Sequence, residues 1–237
     1  MEPHLIALLK GEIQQGHQQA FRYNIPIRQI HLWNVIWVEP SNRELFADII
    51  GQVYAFCSTR QYLWCTRWAD GLVILIDASR IDTIYEMEKK IPDGIFSSSE
   101  TFEDLLDLSI MLRQAQFALH LAQYETPDVK ITFAKKYKIP MFFLSHTQSA
   151  QKQEYKSLLL EEIKKYDLAH NNSYYETLRA YLLHNMDINK IASVLNIHRN
   201  TAAYRIQRIE ELFNINLSDC RIITELYLSL FTDGFGK

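Results

Sequence analysis

Apolar residues recur every three or four positions along residues 188–213, and this spacing predicts two consecutive helices. Asp187 precedes the first helix and is placed to cap it, and Asp219 is likewise placed to cap a last helix at Arg221–Phe231. Asn196 and Ile197 separate the two segments, and the second helix begins near His198. Two helices joined by so short a turn form a helix-turn-helix. The apolar positions of the pair are Ile188, Ile191, Ala192, Leu195, Ala202, Ile206, Ile209 and Phe213.

Basic residues occupy the N-terminal half of the second helix, ahead of its first acid, Glu210. In a helix-turn-helix protein this end of the second helix reaches base edges in the major groove of DNA. Arginine pairs with guanine, asparagine with adenine, and alanine or threonine methyl groups with the thymine methyl. The candidates for base contact are His198, Arg199, Asn200, Thr201 and Ala203. The candidates for phosphate contact are Tyr204, Arg205, Gln207 and Arg208.

Periodicity alone also fits a solvated amphipathic helix, and short sequence matches favour the DNA-binding reading. The segments HRNT, YRI, RIEEL and LSD resemble the C-terminal helix-turn-helix of the PucR/CdaR-like family of bacterial transcription regulators. An upstream segment, ETLRAYL, resembles the helix that opens the same domain. The family often carries a bulky or basic residue just after Thr201, where this chain has Ala202-Ala203, so no target sequence is carried over. The segments are residues 198–201, 204–206, 208–212, 217–219 and 176–182.

The N-terminal part alternates predicted strands and helices in the order β-α-β-β-α-β. This order predicts a ferredoxin-like antiparallel sheet with helices on one face. Asp70-Gly71 predicts a hairpin turn with positive φ. The strands are predicted at Ile30–Val38, Tyr62–Trp68 and Leu72–Asp77, with a short strand or loop at Gly94–Ser99 and an edge strand at Ile131–Phe133. The helices are predicted at residues 5–16, from Ser41 or Asn42 through Phe56, at Ile81–Lys90 and at Phe102–Tyr124.

The same region resembles the middle domain of the family, a degenerate relative of the GGDEF nucleotide cyclases. The similarity lies in residues 8–12, in the hairpin at residues 70–71 and in residues 114–119 and 131–133. A cyclase needs a Gly-Gly-Asp/Glu-Glu-Phe hairpin to bind its nucleotide and metal, and this chain has Trp68-Ala69-Asp70-Gly71 there. The sequence also lacks a P-loop, GxSxG and HExxH. We therefore expect no enzyme activity, no cofactor and no metal site, and we interpret Glu39 as a solvated strand end.

Aromatic residues cluster on the first two predicted strands. If helices cover only one face of the sheet, these rings form an exposed surface, which predicts a dimer or partner face. The alternative is that the rings lie beneath the helices or beneath the segment Pro140–Leu144. His31 is interpreted as a core or interface residue. The aromatic residues are Trp33, Trp37, Tyr62, Trp64 and Trp68.

The chain is expected to be α+β, with a degenerate GGDEF-like domain at 1–145, a helical linker at 146–172 and an all-α helix-turn-helix domain at 173–237. Longer relatives place a sensor domain ahead of the middle domain, and this chain begins almost directly at the middle domain. The net charge is −3, and residues 173–237 contain seven basic and seven acidic residues. This balance predicts weak attraction of a monomer to DNA, so we expect a homodimer.

Three scattered cysteines, the absence of a signal peptide and the short apolar runs predict a cytoplasmic protein that does not enter the membrane. The predicted function is sequence-specific regulation of transcription through double-stranded DNA. The alternative is a degenerate protein-interaction or signal-sensing module that no longer binds DNA. The sequence does not identify an effector molecule, an operator, or an activating or repressing role.

Overall fold

The computed structural model describes residues 2–10, 30, 32–146 and 157–234. The chain divides into two compact units, Met1–Met141 and Phe142–Lys237. The first unit contains a five-stranded sheet with helices, and the described part of the second is helical. The predicted α+β class is therefore confirmed.

The sheet of the first unit has the strand order β2-β3-β1-β4-β5. The central strand β1 is antiparallel to both neighbours, with Val35 opposite Leu75 of β3 and Trp37 opposite Ser97 of β4. The first four strands have the predicted ferredoxin-like order, and β5 adds an edge strand parallel to β4. The strands are β1 Trp33–Pro40, β2 Leu63–Trp68, β3 Gly71–Asp77, β4 Gly94–Ser98 and β5 Ile131–Phe133.

Helices cover both faces of this sheet, so the prediction of helices on one face is wrong. One face packs Val35 and Leu75 against α1 and α4, and the other packs Ile36 and Ile74 against α2 and α3. The physical reason is that β1 and β3 are apolar at successive positions, so both faces must be buried. The helices are α1 Glu2–Lys10, α2 Phe46–Ser58, α3 Thr83–Lys90, α4 Leu108–Glu125 and α5 Lys138–His146.

The aromatic residues of the first two strands do not form an exposed face, so that prediction is also wrong. Trp33, Trp37 and Trp64 are 1%, 1% and 8% exposed and belong to the core beneath α1 and α4. Trp68 packs at the margin of the same core. Tyr62 precedes β2 and packs against the opposite core, because the regular alternation begins only at Leu63. His31 and residues 11–16 lie outside the described residues.

The hairpin between β2 and β3 uses a two-residue loop, because Trp68 pairs with Gly71. Its positive φ of 49° occurs at Ala69 rather than at the predicted Asp70-Gly71. Gly71 has a different function, since a Cβ there would lie 2.3 Å from the Trp37 indole and 2.7 Å from the Val38 carbonyl oxygen. The glycine therefore permits the buried indole to pack against the backbone of β3.

The second unit is built around an apolar core shared by its helices. The sequence predicts a connecting helix that includes residues 158–170. In the structure, Leu160 and Ile163 of this segment pack in the same core as Leu178, Ile209 and Leu226. Across the described ranges, no helix is both long and apolar enough to cross a membrane. The helices are α6 Leu158–His170, α7 Tyr174–Leu183, α8 Ile188–Val194, α9 Arg199–Phe213 and α10 Cys220–Gly234.

Candidate nucleic-acid interface

The first helix of the predicted pair, α8, begins with the cap that the sequence indicates. The Asp187 carboxylate accepts hydrogen bonds from the backbone N–H groups of Asn189 and Lys190, at 2.9 and 3.3 Å. This satisfies donors that a helix start otherwise leaves without partners. On the buried side, Ile191 and Ala192 pack with Ala202 of α9. Small side chains at this contact allow the two helices to approach closely.

The turn between α8 and α9 is set by Asn196, whose φ is 52°. Asparagine adopts this left-handed conformation more readily than most residues. The next residue, Ile197, donates its backbone N–H to the carbonyl oxygen of Ala192 at 2.9 Å and packs against the small core of the helix pair. The turn is therefore fixed both by a hydrogen bond and by an apolar contact.

Helix α9 begins at Arg199 and is capped by the side chain of His198. His198 Nδ1 accepts a hydrogen bond from the backbone N–H of Asn200 at 3.2 Å, which requires an unprotonated Nδ1. The backbone of His198 is extended, as is usual for a capping residue. The sequence analysis placed His198 among the DNA-contacting residues and did not identify this capping contact.

The predicted base-contacting residues all lie on the exposed side of α9, opposite the buried Ala202, Ile206 and Ile209. Arg205 and Arg208 are only partly exposed. The N-terminal half of the helix therefore presents an exposed, mostly polar surface. The exposed members of the predicted set, with His198 just ahead of the helix, are His198, Arg199, Asn200, Thr201, Ala203, Tyr204 and Gln207.

Several of the predicted phosphate-contacting side chains are held by neighbouring residues. Arg205 Nη1 donates to Thr177 Oγ1 of α7 at 3.3 Å. Arg208 Nη1 lies 2.5 Å from Glu211 Oε2, and Gln207 Nε2 donates to Glu211 Oε1 at 3.0 Å. The contact with Glu211 raises the pKa of Arg208. These contacts hold the long side chains along the surface of α9.

Glu211 and Thr177 are the site residues that sequence reasoning missed. For Glu211 a signal existed, because residues three and four positions apart on a helix are neighbours and Glu211 stands at those spacings from Arg208 and Gln207. Thr177 lies far from Arg205 in the sequence, and no local pattern indicates that they meet.

The far end of α9 is closed by residues of the segment that leads into α10. Asn214 has a φ of 50° and ends the helix. The Glu210 carboxylate then accepts the backbone N–H of Leu217 at 2.8 Å. Asp219 accepts the backbone N–H of Arg221 at 2.9 Å at the start of α10, as predicted, and the Arg221 guanidinium lowers the pKa of Asp219. Both ends of α9 are therefore fixed in place.

Residues 174–231, which span α7 to α10, match the family described as the PucR C-terminal helix-turn-helix domain. This chain carries a PucR-type helix-turn-helix domain. The resemblance drawn from the sequence segments of α7 and α9 is thereby confirmed.

Two curated relatives from Bacillus subtilis (strain 168) are regulators. The chain is 31% identical over 144 residues to the proline-responsive transcriptional activator PutR, an alignment that covers 60% of this chain and 35% of PutR. It is 31% identical over 71 residues to the DNA-binding transcriptional activator AdeR, covering 30% of this chain and 17% of AdeR. The aligned segments thus span about a third of PutR and less of AdeR.

Among solved structures, a distant likeness exists to a regulator of polyketide synthase expression from Bifidobacterium adolescentis. The TM-score is 0.44 at 17% sequence identity, and the alignment covers 98% of this chain and 96% of that chain.

Proposed function

We propose that this protein regulates transcription by binding double-stranded DNA in a sequence-specific manner, without catalysing a reaction, in the cytoplasm of a bacterium. The observation that carries the proposal is the exposed, capped N-terminal half of α9 within a PucR-type helix-turn-helix domain. The two curated relatives are transcriptional activators, which supports the same class of function.

Arg199, Asn200, Thr201 and Ala203 are proposed to read base edges. They project from the first turns of α9, where helix-turn-helix proteins contact the major groove. Within the described part of the chain, Arg199 forms no hydrogen bond or ion pair, so its guanidinium is available for bidentate pairing with guanine. His198 contributes mainly as the cap that orients this turn.

Tyr204, Arg205, Gln207 and Arg208 are proposed to contact phosphates. Arg205, Gln207 and Arg208 carry donors on the surface of α9 that bind Thr177 or Glu211 in the free protein, and exchanging these partners for phosphates positions the protein without reading sequence. The N–H groups at the start of α9 provide a further place for one phosphate.

A homodimer is proposed as the DNA-binding form. Residues 173–237 carry as many acidic as basic residues, so the general attraction of one such domain to DNA is weak. Two domains reading half-sites about 34 Å apart place two recognition helices in successive turns of the major groove.

The decisive experiment compares Arg199→Ala with Arg208→Ala in the full chain, using fragments selected from the genome of the source organism. Arg199→Ala is expected to weaken binding by about 1–3 kcal/mol and to relax the preference at one base position. Arg208→Ala is expected to weaken binding to all sequences and to reduce its salt dependence. If the unmodified protein shows no preference for any fragment, the alternative of a module that no longer binds DNA replaces this proposal.

A further inference from the structure

A cleft of about 400 Å³ opens in the first unit, where β1 ends beside the β2–β3 hairpin. The end of β1, the start of α2 and the hairpin itself contribute its walls. This volume lies within the range of small-molecule sites. The residues that matter for its chemistry are Glu39, Arg43, Phe46, Arg67, Ala69 and Asp70.

The cleft is lined by two guanidinium groups and two carboxylates, and no ion pair joins them among the described residues. Within the described ranges, Arg43 and Asp70 form no ion pair, and Arg67 lies over the Phe46 ring at 4.9 Å. Glu39 is occupied by an uncharged donor, since Trp37 Nε1 donates to its Oε1 at 2.6 Å. Glu39 lies at the end of β1 and is partly exposed, in agreement with the expected strand end, and its second carboxylate oxygen is left for solvent or a ligand. Charges of both signs remain available to a ligand.

In a second cleft, the acid is already paired with a lysine. This cleft has a volume of about 450 Å³, and its lining includes Asn34, Glu100 and Lys138. There Lys138 Nζ lies 2.8 Å from Glu100 Oε1, so the opposite charges already form an ion pair. Asn34 is likewise occupied, because its side-chain amide group donates to the carbonyl oxygen of Ser99 at 2.8 Å. Lys135 of the second cleft lies over the Phe133 ring at 5.6 Å and has no ion-pair partner among the described residues, so what distinguishes the first cleft is unpaired charge of both signs.

Two of the four charged groups of the first cleft, Glu39 and Arg67, are held by neighbouring aromatic side chains. Trp37 is buried and packs against Gly71, so the indole that holds Glu39 is fixed by the core. The Phe46 ring at the start of α2 supports the Arg67 guanidinium. At the rim, Ala69 adopts a left-handed φ of 49° that alanine rarely takes. A site whose polar groups are held in advance loses less freedom when a ligand binds.

We propose that this cleft binds a free amino acid, with Arg43 and Arg67 receiving the α-carboxylate and Glu39 and Asp70 receiving the ammonium group. Guanidinium groups bind carboxylates with strong, charge-assisted hydrogen bonds. The cleft has two charges of each sign, which matches a zwitterion of zero net charge. A polyanion such as a nucleotide meets repulsion from both carboxylates. The described residues include no cluster of three metal-binding side chains that could bridge phosphate groups to these acids.

The experiment measures thermal unfolding of the full chain in the presence of each of the twenty amino acids separately, followed by calorimetric titration of those that stabilise it. At least one amino acid is expected to raise the unfolding temperature in a saturable manner. The double variant Arg43→Ala/Arg67→Ala is expected to bind it at least about tenfold more weakly, the loss anticipated when charge-assisted hydrogen bonds are removed. No DNA is present, so the result is independent of the function proposed above.

The matched control is Arg80→Ala, which removes an exposed arginine that lies over the Tyr62 ring at 5.6 Å in the same unit but outside the cleft. This variant is expected to bind like the unmodified chain. If the alanine double variant does not fold, Arg43→Lys/Arg67→Lys keeps both charges and removes only the bidentate geometry, and it is expected to weaken binding as well.

Three outcomes overturn the proposal. The first is that none of the twenty amino acids stabilises the protein. The second is that the stabilisation persists unchanged in the folded double variants. The third is that inorganic phosphate or GTP stabilises the chain through Arg43 and Arg67 while every amino acid fails, which assigns the cleft to anions.

Discussion

The guanidinium of Arg208 lies 2.5 Å from the carboxylate of Glu211, one turn further along α9. The second carboxylate oxygen of Glu211 accepts a hydrogen bond from Gln207. A single acid therefore holds two of the side chains proposed to contact phosphates, and in the proposed complex it would place a negative charge beside the DNA backbone. DNA binding must overcome both effects.

Replacing this acid by its neutral analogue is therefore expected to strengthen DNA binding. Glu211→Gln removes the repulsion of phosphates and releases Arg208, so affinity for all sequences should rise several-fold and fall more steeply with added salt. Fluorescence anisotropy across a salt series measures both quantities. Glu225→Gln is the matched control. Glu225 is an exposed acid on α10, and this substitution also removes one negative charge from the domain. Equal gains in the two variants would mean that net charge alone acts.

The capping contact of His198 can be separated from any contact with DNA. His198→Ala removes the acceptor for the Asn200 N–H and should lower the free energy of unfolding by about 0.5–2 kcal/mol. His198→Asp restores a capping acceptor but adds a negative charge at the DNA-facing end of α9. This second variant should keep its stability and lose DNA affinity. Urea unfolding and DNA titration of both variants test this, and an aspartate variant that binds DNA normally would place His198 away from the DNA.

Gly71 is predicted to be intolerant of any side chain. The added Cβ of Gly71→Ala meets the buried Trp37 ring and the backbone of Val38, and overpacking of this kind costs about 1–3 kcal/mol. Gly51→Ala is the control, because a Cβ there has no atom within 4 Å and Gly51 lies inside α2. That substitution should stabilise the protein by about 0.5–1 kcal/mol. Urea unfolding that showed equal effects for the two glycines would contradict the packing explanation.

Tyr137 is predicted to weaken the fold at alkaline pH. Burial raises the pKa of Tyr137 above its ordinary value of 10.0. The negative charge of Glu125, whose carboxylate accepts a hydrogen bond from the Tyr137 hydroxyl at 2.8 Å, is the second cause. A raised pKa in the folded state favours the neutral form, so its stabilising effect is complete below pH 10 and diminishes as the pH rises above that value. Tyr137→Phe should therefore lose less stability than the unmodified chain between neutral and strongly alkaline pH. Identical pH profiles would contradict this assignment.

Cys57 is predicted to resist alkylation at neutral pH. Its hydrogen bond with Cys65 and its burial both raise the pKa of the Cys57 thiol, which leaves little reactive thiolate. Cys220 is exposed and should react first. Mass spectrometry of peptides after brief treatment with iodoacetamide measures the order, and faster labelling of Cys57 would contradict the prediction.

Local sequence patterns predicted a structural feature correctly where the contacts that determine it join residues close together in the chain. Asp187 and Asp219 cap their helices as expected, because a cap bonds to N–H groups two or three residues away. The apolar spacing of α9 likewise identified its buried side at Ala202, Ile206 and Ile209.

Contacts between distant parts of the chain were not predictable in this way. The Arg205–Thr177 hydrogen bond joins two helices, and the requirement for Gly71 depends on a tryptophan from another strand. The error about the aromatic face has a different origin. The successive apolar residues in Trp33–Pro40 already indicate a strand buried on both faces, and only the identity of the helices that cover each face depends on contacts between distant parts of the chain.

The central position of β1 has a consequence for synthesis of the chain. β1 leaves the ribosome before β3 and β4, and both of its hydrogen-bonded neighbours are made later. Until they emerge, an apolar segment that is almost wholly buried in the folded protein is exposed to the cell. The β2–β3 hairpin, by contrast, can pair as soon as it is made. We expect β1 to be the segment of this unit that most needs a chaperone during translation.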